Sequence, residues 1–349
     1  MKISDLEFFL VEPRRRGGEP SPRSLLVRLA TASGEEGWGE ARSSWRPAEL
    51  TARRDALLPA LAGRSVFDVE ELVELDALSP APLRCAVEMA CWDLVGRAAR
   101  QPLCHLFGGE YRARIPLAVR LPRQGEQRTA QMARELAEQG FHTQIITCGG
   151  NAEEDLKMLD AVRSAIGDRA KLRLDGAARF PRDDARELCA RLEKKGLEFF
   201  LDPLVSADAS EVSALARLTR LPLAVSRGVR AANDVLALAR GGSAPHVVID
   251  LDQVGGLWPA RKCAAVADAG GVRVSLGGAC GLGPALAARL QLAAATRNLE
   301  SSHECAYYQL HEDVLIERLP ISDGMIPVPQ GPGLGIEIDR ARLEACQVT

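Results

Sequence analysis

Apolar positions along the chain fall into three successive patterns. Over the first 40 residues the runs LEFFLVE and SLLVRLATA flank the Gly-, Pro- and Arg-rich stretch RRRGGEPSPR, which predicts two strands joined by a mobile loop. Between Pro47 and Gly109 the pattern is helical: Leu83, Val87, Ala90, Cys91, Leu94, Val95 and Ala98 recur at three- and four-residue steps, one face of a helix. From Ile115 short apolar runs alternate with polar, helix-like segments. The runs are IPLAVRL (115–121), TQIIT (143–147), KLRLD (171–175), LEFFLD (197–202), PLAVS (222–226), HVVID (246–250), VRVSL (272–276) and NLESS (298–302). Such runs joined by helices predict buried parallel strands with right-handed crossovers. Eight units over roughly 200 residues fit a (β/α) barrel better than an open doubly wound sheet. The segment ISDGMIPVPQGPGLGIEI then reads as a Gly/Pro-rich return.

A barrel gathers its chemistry at the C-terminal ends of its strands. Those positions hold Thr147 and Cys148, Asp175, Asp202, Ser226 and Arg227, Asp250 and Asp252, Ser275, and Glu300 to His303. One Asp at a strand end is as readily the cap of the next helix. Several carboxylates converging on one mouth need a counter-charge, either a divalent cation with oxygen ligands or Arg227. Cys148 and Cys280 fall in loops near the mouth, but a catalytic thiol needs a neighbouring base or cation. GGACGLGP sits where barrels often bind phosphate, yet a tight backbone turn accounts for it more simply. Arg14, Arg15 and Arg16, followed by Gly17 and Gly18, read as a solvated charge run.

Composition narrows the chemistry. The chain has 349 residues, 44 basic against 47 acidic, for a net charge of −3. This balance gives no pull toward nucleic acid or an anionic membrane. Only six residues are Lys and five are His, so few side chains can carry protons near neutrality. The nine Cys form no CxxC pair, and such scatter suits a reducing compartment. The start, MKISDLEFFLVEP, carries Asp5 and Glu7 in its apolar run and is no secretory signal, and no run reaches the length of a membrane span. The expectation is a cytoplasmic protein.

Several blocks carry a resemblance: GEEGWGEA (34–41), AVEMACWDLVGRAARQPLCHLFGG (86–109), LRLDGAARF (172–180), DQVGGLWPARKCAAVADAGGV (252–272) and DGMIPVPQGPGLGIEI (323–338). Together they resemble the enolase superfamily, on the mandelate racemase and muconate lactonizing enzyme branch. The resemblance implies an α/β fold: a (β/α)7β barrel over 113–324, with an α+β capping domain from 1–112 plus 325–349. It implies Mg²⁺ held by three acids on successive strands, abstraction of the proton next to a substrate carboxylate, a small-molecule carboxylate substrate and a homo-oligomer.

Residue by residue the implied chemistry departs from that pattern. The first ligand matches Asp175. Leu201 stands at the second ligand position, with the acid one step along at Asp202, and Ser226-Arg227 stands at the third. Ile145 and Thr147 occupy the place of a Lys-x-Lys pair. Asp250 matches the Asp that pairs with a His in the racemase subgroup, but the seventh-strand loop SLGGACGLGP has no His; His303 alone falls near the mouth. Glu300 resembles an acid that hydrogen-bonds the developing enolate. One reading is a rebuilt site in which Arg227 replaces the metal and Asp250, His303 or Asp202 accepts the proton, with Thr147, Asp202 and Ser226 lining the substrate. A second is a non-catalytic relic in which Arg227 neutralises Asp175. A third keeps Mg²⁺ on Asp175, Asp202 and water.

Overall fold

A computed structural model of the chain describes residues 1–16, 22–206, 208–241, 246–278 and 281–348. The N-terminal part is an antiparallel meander, β1 (Ile3–Val11), β2 (Ser24–Thr31) and β3 (Glu36–Arg42). The helix Ala81–Ala99 packs across β3. Its close approach requires glycine: a Cβ on Gly39 would collide with the carbonyl oxygen of Ala86, and one on Gly37 with that of Ala90.

Eight parallel strands follow, each leading into a helix or helical turn. They are β4 (Arg114–Arg120), β5 (Thr143–Thr147), β6 (Lys171–Asp175), β7 (Leu197–Leu201), β8 (Leu223–Val225), β9 (His246–Ile249), β10 (Arg273–Leu276) and β11 (His303–Glu304). Their order is β10-β9-β8-β7-β6-β5-β4-β11, a nearly closed barrel. A short β12 (Met325–Pro327) adds antiparallel to β4. Alternation turns Phe199, Leu201, Ala224 and Val248 into one inner apolar cluster. No helix among the described residues is long and apolar enough to cross a membrane.

Seven of the eight apolar runs coincide with barrel strands; the eighth does not. The last strand is His303–Glu304, so NLESS (298–302) precedes it. Between β10 and β11 no ladder joins the described residues. The His303 imidazole bridges that seam, its Nδ1 accepting the Leu276 N–H at 2.9 Å.

Carboxylates of the N-terminal part cap barrel helices. Glu40 accepts the N–H groups of Leu282 (2.8 Å) and Ala285 (3.0 Å) at the start of the helix Gly283–Ala295, and the Ser24 hydroxyl at 2.7 Å. Asp313 takes Gly283 N–H at 3.0 Å. Own-chain carboxylates therefore hold the amides at the end of GGACGLGP, and that of Ala285 just after it, which a phosphate would have needed. Glu88 accepts Leu257 and Trp258 N–H (2.9 and 2.7 Å) at the start of the helix Leu257–Ala269. Asp93 takes the N–H groups of Trp38 and Leu334. Burial pushes Glu40 up to about 6 and Glu88 up to about 7. The C-terminal tail rejoins β1, with Val348 N–H on the Leu10 carbonyl. Arg14 to Arg16 are tied by backbone hydrogen bonds and an isolated bridge to Gln309–His311, while Gly17 and Gly18 lie outside the described residues.

Gly39→Ala should destabilise the fold by about 3 kcal/mol, because backbone rather than a flexible side chain blocks the new methyl. Urea unfolding checks this: the midpoint falls and the slope stays unchanged.

Candidate active site at the barrel mouth

The last residue of β4 is the centre of the mouth. Residues 116, 118 and 120 share the inward face of β4, so Arg120 projects over the barrel end. Its guanidinium donates to Asp175 Oδ2 at 2.6 Å, to the Thr147 hydroxyl, and through Nε to Glu304 Oε1 at 2.9 Å, with Nη2 reaching the same oxygen. Groups from β4, β5, β6 and β11 thus meet on one cation. Burial works against the Arg120 charge, but Glu304 and Asp175 outweigh it, and the guanidinium stays above its ordinary value. Asp175 Oδ1 accepts Ala177 N–H at 2.8 Å, so both carboxylate oxygens are engaged.

The cation on Asp175 is therefore Arg120 and not Arg227. Arg227 is exposed; its N–H, with that of Ser226, donates to the Asp202 carboxylate at 2.8–3.3 Å. Pairing Arg227 with Asp175 fails because the chain turns at Asp202 (φ 41°) and the end of β8 presents backbone to that turn. Leu201 holds the inward position of β7, and the Asp202 carboxylate is taken up by those two backbone amides. Burial, with Asp175 adding, pushes Asp202 up to about 6.

Asp250 stands at the mouth end of β9. Its Oδ2 takes Arg42 from the end of β3, and its Oδ1 accepts Asp252 N–H at 3.1 Å. Arg42 also donates to Asp252, through Nε at 2.9 Å and its backbone N–H at 3.0 Å. The last residue of the N-terminal sheet is thereby tied to the barrel rim. Burial and the Asp252 charge raise the Asp250 carboxyl.

The remaining candidates lie elsewhere. Glu300 is exposed and beside Arg112, which precedes β4, so it sits at the opposite end of the barrel; Glu304 holds the mouth position on the last strand. His303 faces the β10–β11 seam with 4% of its surface exposed. Burial, then Arg173, pushes it down to about 3, so it is neutral. Cys148 is buried and its thiol is pushed up by burial; Cys280 lies outside the described residues. Among the described residues no group of three His, Cys, Asp or Glu side chains is arranged to hold a metal ion.

Three positions that meet at the mouth escape a reading from sequence: Arg120, Glu304 and Arg42. Alternation along IPLAVRL puts Arg120 on the face of Pro116 and Ala118, a signal present in the strand itself. Glu304 becomes visible only once the last strand is placed five residues later. Arg42 directly follows GEEGWGEA, and nothing local marks its reach to β9.

Comparison with known proteins defines the class. Residues 19–108 match the mandelate racemase / muconate lactonizing enzyme N-terminal domain, and residues 128–342 match the enolase C-terminal domain-like family. The chain belongs to the enolase superfamily, on its mandelate racemase and muconate lactonizing enzyme branch. It is 25% identical to N-succinyl-L-Arg/Lys racemase of Bacillus cereus, over 100% of this chain and 98% of that protein. It is 26% identical to chloromuconate cycloisomerase of Cupriavidus pinatubonensis, over 97% and 94% of the two chains. The crystal structure of the Bacillus cereus racemase superposes with a TM-score of 0.92 at 22% identity, covering 100% and 99% of the two chains, which supports the fold.

The neutral, buried His303 makes a pH prediction. Its folded value lies below the ordinary 6.5, so the unfolded chain takes up the proton first and stability falls as pH drops from about 6.5 toward 3. His303→Leu should cost about 2 kcal/mol at pH 7.5 by stranding the Leu276 N–H. At pH 5 that deficit should shrink by about 2 kcal/mol, since the variant has no imidazole to charge. Denaturant unfolding at the two pH values measures both.

Proposed function

We propose that this protein is an isomerase or lyase of its family's general kind, acting on a small carboxylic acid by removing the proton next to the carboxylate, without a divalent cation. The single observation that carries this is the Arg120 guanidinium fixed at the centre of the mouth by Asp175, Glu304 and Thr147. The donor set does not fit Mg²⁺. Asp175 already spends one oxygen on Ala177 N–H and the other on Arg120. Leu201 offers no ligand, and the Asp202 carboxylate is already taken by the Ser226 and Arg227 N–H groups. The Mg²⁺ expected from the family pattern therefore has one retained ligand, and that ligand is engaged.

In this reading Arg120 receives the substrate carboxylate by exchange with Glu304. A guanidinium binds carboxylates bidentately and keeps its charge at any working pH. As the Cα–H bond breaks, negative charge grows on the carboxylate oxygens, and a fixed cation there lowers the barrier. Asp250 accepts the proton: it projects at the mouth, and its raised carboxyl is a better base than an ordinary aspartate. Thr147 remains a substrate-facing hydroxyl. Relatives named as racemases, epimerases and cycloisomerases support the reaction class.

A specific observation favours a second reading, a non-catalytic relic. Arg120 and Arg42, both at the mouth, are engaged by the chain's own acids.

Solvent exchange separates the two. Incubated in D₂O with EDTA and a panel of N-acyl amino acids, dipeptides, aldonic and 2-hydroxy acids, the protein should replace the α-hydrogen of one class by deuterium, read by NMR. Arg120→Met and Asp250→Asn should each slow that exchange by about 100-fold or more with the fold intact by circular dichroism. Exchange that requires added Mg²⁺ contradicts metal independence; no exchange with any acid, with or without Mg²⁺, leaves the relic.

A further inference from the structure

We propose that Arg42, the last residue of β3, is a positioning residue for Asp250: its guanidinium bridges Asp250 and Asp252 at the barrel rim and keeps Asp250 ionised, so that the group accepting the proton depends on a side chain delivered by the N-terminal sheet. The inference rests on the proposed function for the role of Asp250 and adds what controls that residue. Arg42 Nη2 donates to Asp250 Oδ2, and Arg42 Nε donates to Asp252 Oδ2 at 2.9 Å. The two acids stand at the start of the helical turn Leu251–Val254. One planar cation thus spans both, an arrangement suited to a guanidinium and not to an ammonium.

The end of β3 is held on the barrel by other contacts. Alternation puts Glu40 and Arg42 on one face of the strand. Glu40 is fixed on the start of the helix Gly283–Ala295 by the Leu282 and Ala285 N–H groups. The Arg42 backbone N–H donates to Asp252 Oδ2 at 3.0 Å, and its ladder partner on β2 is Ser24, whose hydroxyl holds Glu40. None of these ties involves the guanidinium. Shortening the Arg42 side chain should therefore remove the charge from Asp250 and leave the docking of β3 in place.

The charged and titratable groups that face Asp250 come from four elements. Asp252 lies on its own helical turn, Arg42 on β3, Arg289 on the helix Gly283–Ala295 and Cys85 on the helix Ala81–Ala99. Burial keeps the Cys85 thiol neutral. Arg289 and Asp250 meet beside Gly278, where a Cβ would lie 2.8 Å from Nη2 of the one and 2.9 Å from Oδ1 of the other; Arg289 Nη1 is held by the Gly278 carbonyl. Burial raises the Asp250 carboxyl and the Asp252 charge adds to it, while Arg42 and then Arg289 oppose them. Two buried carboxylates this close resist being ionised together unless a cation stands between them, and Arg42 binds both.

The test follows the carboxylic-acid C=O stretch of Asp250 in the full-length protein by infrared difference spectroscopy in D₂O, with Asp250→Asn identifying the band. In Arg42→Met the pH midpoint of that band should rise by about one pH unit or more, with circular dichroism unchanged. Arg42→Lys, which keeps a charge but holds one acid rather than two, should show a rise less than half as large. A midpoint in folded Arg42→Met that matches the unaltered protein would overturn the proposal. If Arg42→Met does not fold, Arg42→Lys decides: a rise supports the bridging guanidinium, and an unchanged midpoint or failure to fold contradicts it. The infrared readout needs no substrate, so a failure of α-hydrogen exchange leaves the hold of Arg42 on Asp250 standing. With an acid that does exchange, the acidic limb of the rate–pH profile should move with the band in Arg42→Met. A limb that stays while the band moves contradicts Asp250 as the base and supports Arg42 as its partner.

Discussion

A carboxylate at a barrel mouth is tolerable only when something positive stands against it, and in this protein the Arg120 guanidinium fills that role for Asp175 and Glu304 together. Its placement has mechanical as well as electrostatic consequences. β11 is only two residues long, no ladder joins it to β10 among the described residues, and its ladder to β4 has just two partner pairs. The Arg120–Glu304 contact adds a side-chain tie where the backbone supplies few. At the other edge of the same strand His303 accepts the β10 amide. A strand too short to close the barrel by its own hydrogen bonds is thus secured on both sides by side chains.

The contacts between the N-terminal part and the barrel follow a different logic. Glu40, Glu88 and Asp93 all lie in the sequence blocks that carry the family resemblance, and all three spend their oxygens on backbone N–H groups of other segments. Buried carboxylates at helix starts satisfy donors that would otherwise be orphaned. The glycines of the same blocks permit the helix Ala81–Ala99 to reach β3. These blocks therefore encode how two layers dock, and the docking carries Arg42 to the barrel rim. The residues that dock the two layers are thus different from those that meet at the mouth.

This division explains what could be read from the chain. Seven barrel strands were legible because buried parallel strands need unbroken apolar runs. The eighth strand was not: its two residues, His303 and Glu304, are polar, and the more apolar NLESS just before them took its place. That slip moved the acid of the last strand from Glu304 to Glu300 and made a seam-filling histidine resemble a base. Arg120 was hidden in another way. Nearly all of the positive charge is Arg, so one more at a strand end carries little weight until the fold shows two acids waiting opposite it. Arg227 lay closer in sequence to a ligand position, but the turn at Asp202 and the end of β8 decide its direction, and those are tertiary facts.

A crystal structure grown with millimolar Mg²⁺ bears most directly on the central claim. The Arg120 guanidinium should lie within hydrogen-bonding distance of both Asp175 and Glu304, with no ion between them. An octahedral Mg²⁺ on Asp175, with Arg120 swung clear of the mouth, would contradict it.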